Sequence, residues 1–158
     1  MIEQTKPSFK NYAILFAMSL AMLVLAFNTT ALVNSLLIIR QEFNISATSL
    51  QWVINIYILM AATFILAAGK LGDYFERKKI FIFSCIFYLF ASVLIALCQN
   101  TFQLILGRGL QGLAAAFICS GSMTIIKTQF EKENLIWAVG IWSAMIGVGC
   151  AIGPFGGG

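Results

Sequence analysis

The sequence contains no histidine and few charges, and these shortages exclude several kinds of function. Its 158 residues include ten lysines and arginines but only six aspartates and glutamates. Without histidine, and without a Cys-X-X-Cys pair, neither a zinc site nor a haem attachment has a ligand set. The sequence also offers no catalytic pair of a nucleophile and a general base. We therefore expect no metal, no cofactor and no enzymatic activity.

The sequence also lacks a cysteine framework. Its four cysteines all lie inside apolar segments, where a free cysteine behaves as a small hydrophobic residue. They are Cys85, Cys98, Cys119 and Cys150. We expect them to be buried thiols and not disulfides.

Apolar residues make up 60% of the chain and charged residues only 10%. A soluble domain is about half apolar and about a quarter charged, so the excess indicates contact with lipid. The net charge of +4 could suggest a nucleic-acid partner. However, the basic residues flank apolar runs and form no stripe interleaved with exposed aromatics, so we expect a lipid bilayer as partner and no nucleic acid.

Five apolar segments are each long enough to cross a membrane as a helix, which takes about 20 residues. They span residues 12–39, 50–68, 80–98, 102–126 and 135–158, after an N-terminal segment of residues 1–11. The loops between them are short, so we expect one helical bundle. The predicted fold class is an all-α integral membrane protein.

The basic residues indicate which way the bundle crosses the membrane, because cytoplasmic loops are rich in lysine and arginine. Eight of them fall in the N-terminal segment and in the second and fourth connections, whereas Arg40 alone lies on the other side. The eight are Lys6, Lys10, Lys70, Arg77, Lys78, Lys79, Lys127 and Lys132. We expect a multi-pass protein of the cell membrane with residues 1–11 in the cytoplasm.

Residues 69–79, between the second and third segments, read GKLGDYFERKK. The order resembles the G-x-L-[AG]-D-R-x-G-R-[KR]-[KR] loop of the major facilitator superfamily of transporters. The resemblance implies a cytoplasmic gating loop, in which glycines allow helices to approach and the acid docks against a neighbouring helix end. Tyr74 and Glu76 replace an arginine and a glycine of that pattern. The matching residues are Gly69, Leu71, Gly72, Asp73, Arg77, Lys78 and Lys79.

The fourth segment contains an arginine, Arg108, followed by Gln111 and Gly112. An arginine inside an apolar helix costs about 2.5–3.5 kcal/mol to insert, so it should face the bundle interior or a wet cavity. At helical spacing, positions 108, 111, 115, 119 and 122 share one face. Alternatively, the side chain reaches the membrane surface, about two turns away. R-x-x-Q-G resembles a helix 4 motif of the same superfamily, which implies a role in proton coupling or substrate contact.

The fifth segment carries glycines at four-residue spacing, which allow helix backbones to approach closely in membranes. Pro154 among them favours a kink. The pattern resembles the G-x-x-x-G-P-x-x-G-G motif of drug:proton antiporters with fourteen helices. The matching residues are Gly149, Gly153, Pro154, Gly157 and Gly158.

Helix 1 departs from that branch at the position of its usual membrane acid. The branch often carries L-D-x-T there, and a gapless alignment places Asn28 at the aspartate and Thr30 at the threonine. An asparagine cannot carry a proton, so coupling must use an acid beyond residue 158 or be lost. Asn55, in the second segment, is a further polar candidate. We expect both asparagines to face a substrate cavity.

The resemblance implies the N-terminal part of the major facilitator fold, incomplete in its fifth helix. The implied function is proton-coupled efflux of drug-like or amphipathic small solutes by the full-length relative. An abrupt end at three glycines suggests a gene fragment, a prematurely stopped copy or an incomplete sequence. The alternatives are a membrane fragment that pairs with other helices through its glycine stripe, and a small exporter that works as a homo-oligomer.

Overall fold

A computed structural model describes residues 8–43 and 45–157, which form a bundle of long helices. The helices are α1 (Phe9–Phe43), α2 (Ala47–Tyr74), α3 (Arg77–Ala96), α4 (Thr101–Gln129) and α5 (Lys132–Gly156). In this part of the chain, five helices are long and apolar enough to cross a membrane, which confirms the predicted fold class. The 35 residues of α1 would span about 52 Å, which is much longer than the thickness of a hydrocarbon core, about 30 Å.

Every helix begins before its apolar segment, and α1, α2 and α4 also end beyond theirs, whereas α3 and α5 end slightly before theirs. Polar residues outside the apolar runs cap two of the helix starts. Ser46 precedes α2 and its hydroxyl accepts a hydrogen bond from the Ser49 amide. Asn100 precedes α4 and its side chain accepts from the Gln103 amide. Such N-caps satisfy amide groups that have no partner within the helix. The connections between consecutive helices are short, because each helix begins a few residues after the previous one ends.

The helix α4 lies at the centre of the bundle and packs against α2, α3 and α1. Half of its buried positions are glycine or alanine, which let the neighbouring helices come close. Large apolar side chains cover the outside instead. Leu66 is 79% exposed and Phe102 is 74% exposed, a surface that suits lipid and not water. The chain is a membrane protein.

Two helix pairs in the bundle are related to each other. The pair α1 and α5 and the pair α2 and α4 both pack closely, and in each pair the two helices run in the same direction. Exchanging α1 with α4 and α2 with α5 converts one pair into the other. This relation is what two inverted three-helix repeats produce.

Candidate functional site

A buried arginine lies at the polar centre of the bundle. The Arg108 side chain is only 2% exposed, although it lies about two turns from the start of α4 at Thr101. Its burial contradicts the alternative that this side chain reaches the membrane surface. The rest of the predicted helix face is buried or half-buried as well. It comprises Gln111, Ala115, Cys119 and Ser122.

Side chains from three helices meet at the guanidinium of Arg108. Its Nη1 donates to Oε1 of Gln111 at 2.8 Å and to Oδ1 of Asn28 in α1 at 2.9 Å. Its Cζ lies 4.4 Å from the centre of the Tyr57 ring in α2, a distance at which a cation is attracted to the face of an aromatic ring. The arginine is therefore held by neutral groups on α1, α2 and α4.

The helix α3 completes this centre. The amide Nε2 of Gln111 donates to Oγ of Ser92 at 2.7 Å, and the Ser92 hydroxyl donates to the carbonyl of Tyr88 at 2.9 Å. Two of the three buried donors that find no acceptor among the described residues belong to this centre: the hydroxyl of Tyr88 and Nε of Arg108. A buried donor without an acceptor is costly to a fold, so a group that accepts hydrogen bonds would stabilise this centre.

Gly112 positions the Tyr57 ring on the arginine. A Cβ atom at residue 112 would overlap the carbonyl oxygen of Tyr57 and lie 2.9 Å from its Cα. Only a glycine leaves room for α2 at this point. The glycine of the helix 4 motif thus brings two backbones together, and the contact places an aromatic face against the guanidinium.

The two asparagines singled out in the sequence have different surroundings. Asn28 lies at the arginine, where a carboxylate would form a direct ion pair. Asn55 is exposed on the surface of α2, and it does not take part in the polar centre. The alignment of helix 1 singled out Asn28 but did not predict its contact with Arg108, and neither asparagine belongs to the residues that line the adjacent apolar cavity.

An apolar cavity of about 400 Å³ adjoins this centre. It lies between α1, α2, α4 and α5, and Tyr57 borders both the cavity and the guanidinium. Its lining is almost wholly apolar, and the hydroxyls of the lining residues Thr29 and Thr30 donate to backbone carbonyls of α1. A concave and mostly apolar lining of this size is typical of small-molecule sites.

The glycine stripe of α5 packs against α1 of the same chain. A Cβ atom at Gly149 would meet the α1 backbone at 2.5 Å, one at Gly153 would overlap the Thr30 side chain, and one at Gly157 would overlap the carbonyl of Ala31. The stripe therefore does bring two helices together, as its spacing predicts. Because its partner is α1, the stripe is not free to pair with helices of another chain.

Polar side chains of α1 bind the end of α5. Asn34 Nδ2 donates to the carbonyl of Pro154 at 2.9 Å, and the Ser35 hydroxyl donates to the carbonyl of Gly157 at 2.7 Å. These carbonyls lie in the last turn, where a helix leaves acceptors without internal partners. Gly158, the last residue of the predicted motif, lies outside the described residues.

The gating-loop motif is mostly helical, which corrects its prediction as a loop. Gly69, Leu71 and Gly72 belong to α2, and the connection itself consists of Phe75 and Glu76. The apolar run ends near Ala68, but nothing there stops the helix. A Cβ at Gly72 would meet no atom within 4 Å and one at Gly69 would make only an ordinary contact, so within the described residues neither glycine is required for close approach.

The charges of the motif lie at the start of α3. Lys78 is exposed, and Lys79 Nζ lies 2.8 Å from Oε2 of Glu76. This hydrogen bond holds the pKa of Glu76 below its usual value, but an exposed pair of this kind stabilises a fold little. Arg77 is the first residue of α3. The side chain of Asp73 lies outside the described part of the chain, so its predicted docking is not addressed.

Sequence reasoning missed the contribution of α3 and the role of Tyr57. Ser84, Tyr88 and Ser92 are polar side chains one turn apart along the apolar part of α3, and that spacing was the available signal. Tyr57 follows Asn55 by two residues, so it lies on a different face of α2. Its partnership with Arg108 depends on how α2 and α4 pack.

Comparison with known proteins identifies relatives over most of the chain. Residues 18–158 match the Major Facilitator Superfamily. The tetracenomycin C resistance and export protein of Streptomyces glaucescens is 30% identical over 91% of this chain and 27% of its own length. The methylenomycin A resistance protein of Bacillus subtilis is 30% identical over 98% of this chain and 34% of its own length. The multidrug efflux pump LfrA of Mycolicibacterium smegmatis is 27% identical over 98% and 31%. The chain thus spans about a quarter to a third of the length of these relatives.

Proposed function

This chain belongs to the major facilitator superfamily, and we propose that its helices are the N-terminal part of an exporter of amphipathic small molecules. The observation that carries the proposal is the buried Arg108 beside an apolar cavity. A buried charge in a membrane helix marks a functional site by default, because it is expensive to insert. The names of the relatives, which refer to resistance, export and efflux, support the same direction of transport.

The cavity suits the apolar part of an amphipathic solute. Its lining is almost wholly alkyl and aromatic, and its volume of about 400 Å³ falls in the range of small-molecule sites. In this superfamily the substrate is held between two six-helix halves. The residues that line this cavity would then form the part of that substrate site contributed by the N-terminal half.

A chimeric exporter tests this proposal. Residues 1–158 would replace the matching N-terminal third of the methylenomycin A resistance protein, in a Bacillus subtilis strain without its own copy. We expect resistance above that of the empty vector, provided that immunoblots show the chimera in the membrane. The matched control carries the corresponding segment of the tetracenomycin C exporter. If the control confers resistance and the equally abundant chimera does not, the proposed transport function is wrong.

Coupling to protons is the finer part of the proposal. Asn28 accepts a hydrogen bond from Arg108 at the position of the usual acid, and an amide cannot release a proton at physiological pH. We therefore place the coupling acid outside residues 1–158. A protonophore should abolish export by the chimera, and Asn28→Asp should not be needed for export. Export that persists after the proton gradient has collapsed would contradict proton coupling.

The orientation proposed for the bundle places the N-terminus in the cytoplasm. It rests on the eight basic residues of one side against Arg40 on the other. A single cysteine introduced at Ser8, in a variant without the native cysteines, should react with a membrane-impermeant maleimide only after the cells are opened. A cysteine at Gln99, in the α3–α4 connection, should react in intact cells. The reverse pattern would overturn the orientation.

The alternative of a helix-pairing fragment loses its main support. It requires the stripe of Gly149, Gly153 and Gly157 to be available to another chain, whereas this stripe is covered by α1.

A further inference from the structure

The positive charge of Arg108 has no carboxylate partner among the described side chains. Its acceptors are the amide oxygens of Asn28 and Gln111, and the remaining neighbour is the face of the Tyr57 ring. All three orient a guanidinium, and none of them cancels its charge. A buried charge without a counter-ion is unfavourable in a low-dielectric surrounding.

The acids within the described part of the chain lie far from this arginine along the helices. From Arg108, α4 continues for about 31 Å to its end at Gln129, and that end of the bundle holds four of the acids. These are Asp73, Glu76, Glu131 and Glu133. Glu42 lies about 21 Å beyond Asn28 along α1. Glu3 is outside the described residues.

The centre also has more hydrogen-bond donors than acceptors. Nε of Arg108 and the hydroxyl of Tyr88 are buried and find no acceptor in the described part of the bundle. Tyr88 is connected to Arg108 through hydrogen bonds, because Arg108 donates to Gln111, Gln111 donates to Ser92, and Ser92 donates to the backbone carbonyl of Tyr88. A carboxylate or sulfonate accepts several hydrogen bonds and is the natural partner of the planar guanidinium. Water could accept from these donors as well, but it would leave the charge uncompensated.

The neighbouring cavity supplies space for the rest of such a molecule. Tyr57 is one of the residues that line the cavity, and its ring lies against the guanidinium. Thr29 and Thr30, which also line the cavity, directly follow Asn28 in α1. A ligand body of about 400 Å³ or less would therefore lie next to the arginine.

From these observations we propose that the ligand of this bundle is an organic anion, with its acid group at Arg108 and Tyr88 and its apolar body in the cavity. The proposal rests on the transport function proposed above and narrows its substrates to amphipathic carboxylates or sulfonates. Asn28 contributes to this anion site, because an aspartate in its place would neutralise the guanidinium and compete with the ligand.

Binding of three probes of the same shape tests the charge preference. The full chain would be reconstituted in phosphatidylcholine nanodiscs, and naphthoate, naphthamide and naphthylmethylammonium would be measured by equilibrium dialysis at neutral pH. Protein-free nanodiscs correct for partition into lipid. We expect naphthoate to bind at least about tenfold more tightly than naphthamide, the change expected for one hydrogen bond to a charged group. The ammonium should bind most weakly.

Three variants locate the site. Arg108→Gln should abolish the preference for naphthoate, and Asn28→Asp should reduce it by about tenfold or more with the arginine still in place. Tyr88→Phe should weaken naphthoate binding severalfold without changing naphthamide binding. Since the Tyr88 hydroxyl has no acceptor among the described side chains and carbonyls, this variant should fold even if the others do not. Arg40→Gln, at an exposed arginine, is the matched control and should leave binding unchanged.

The outcomes separate this proposal from the proposed transport function. Equal binding of naphthoate and naphthamide would overturn the anion proposal and leave an exporter of neutral solutes. Preference for the ammonium would overturn it too. Displacement of naphthoate by chloride alone at similar affinity would assign Arg108 to an inorganic anion, which also contradicts the proposal. If none of the probes binds while the chimera confers resistance, the anion site is refuted and the transport function stands.

Discussion

Replacing Gly112 with alanine tests the close contact between α2 and α4. The new methyl group would overlap the carbonyl oxygen of Tyr57 and lie 2.9 Å from its Cα and 3.0 Å from its carbonyl carbon. These are backbone atoms within a helix, so they cannot rotate away as a flexible side chain would. The two helices must separate, or the methyl group must be accommodated by strain.

The expected cost follows from two opposing contributions. Overpacking a tight interior costs about 1–3 kcal/mol, and we expect the upper end because the obstacle is backbone. Alanine favours a helix over glycine by about 1 kcal/mol. The net destabilisation of Gly112→Ala should be about 2 kcal/mol. Gly140→Ala is the matched control, since a Cβ there meets nothing within 4 Å, and it should be neutral or stabilise by up to about 1 kcal/mol.

Unfolding of the purified chain in mixed micelles of dodecyl maltoside and sodium dodecyl sulfate, followed by circular dichroism, measures both variants. The difference between them should be about 3 kcal/mol, because the gain in helix propensity is common to both. The reasoning about helix contact would be refuted if Gly112→Ala were as stable as Gly140→Ala. It would be refuted as well if Gly140→Ala were the less stable variant.

Three further substitutions test other parts of the structure in the same unfolding assay. Gly153→Ala should destabilise the chain by about 1–3 kcal/mol because it forces α5 away from α1. Gly147→Ala is the control and should not destabilise it, because a Cβ there lies in open space. Equal stability of the two variants would contradict the packing of the stripe. Asn28→Ala removes an acceptor from the buried guanidinium and should lower the free energy of unfolding by about 1.5–3 kcal/mol. Asn55→Ala, at an exposed asparagine, is the control and should change stability little. Destabilisation by Asn55→Ala but not by Asn28→Ala would contradict this prediction. Asn100→Ala removes the N-cap of α4 and should cost about 1 kcal/mol, recovered in part by a serine at the same position; no loss would mean that the cap does not contribute.

The sequence was sufficient to predict the class of protein and the number of helices. Composition indicates lipid contact, and the length of each apolar run indicates one crossing. The predicted ends were less accurate, because an apolar run marks the part of a helix within the hydrocarbon and not its hydrogen-bonded ends. For this reason α2 continues to Tyr74, six residues beyond its apolar segment, and the motif predicted as a loop is largely helical.

The partners of the motif residues were predicted less well. The spacing of Gly149, Gly153 and Gly157 indicates a contact with another helix, but spacing on one helix contains no information about which neighbour is met. The same limit applies to Tyr57, whose distance from Arg108 depends on the contact at Gly112. Resemblance singled out Asn28 as the position of the usual acid, but its hydrogen bond to Arg108 depends on how α1 packs against α4.

By itself, the sequence determined that Arg108 is the one basic residue within the apolar part of a helix and that no acid accompanies it. This follows because charge and hydrophobicity are properties of the residues and need no fold. Only the tertiary structure decided that the guanidinium is buried, that Asn28, Gln111 and Tyr57 are its neighbours, and that a cavity adjoins it. These are properties of four helices packed together, and packing depends on contacts between residues as far apart in the chain as Asn28 and Arg108.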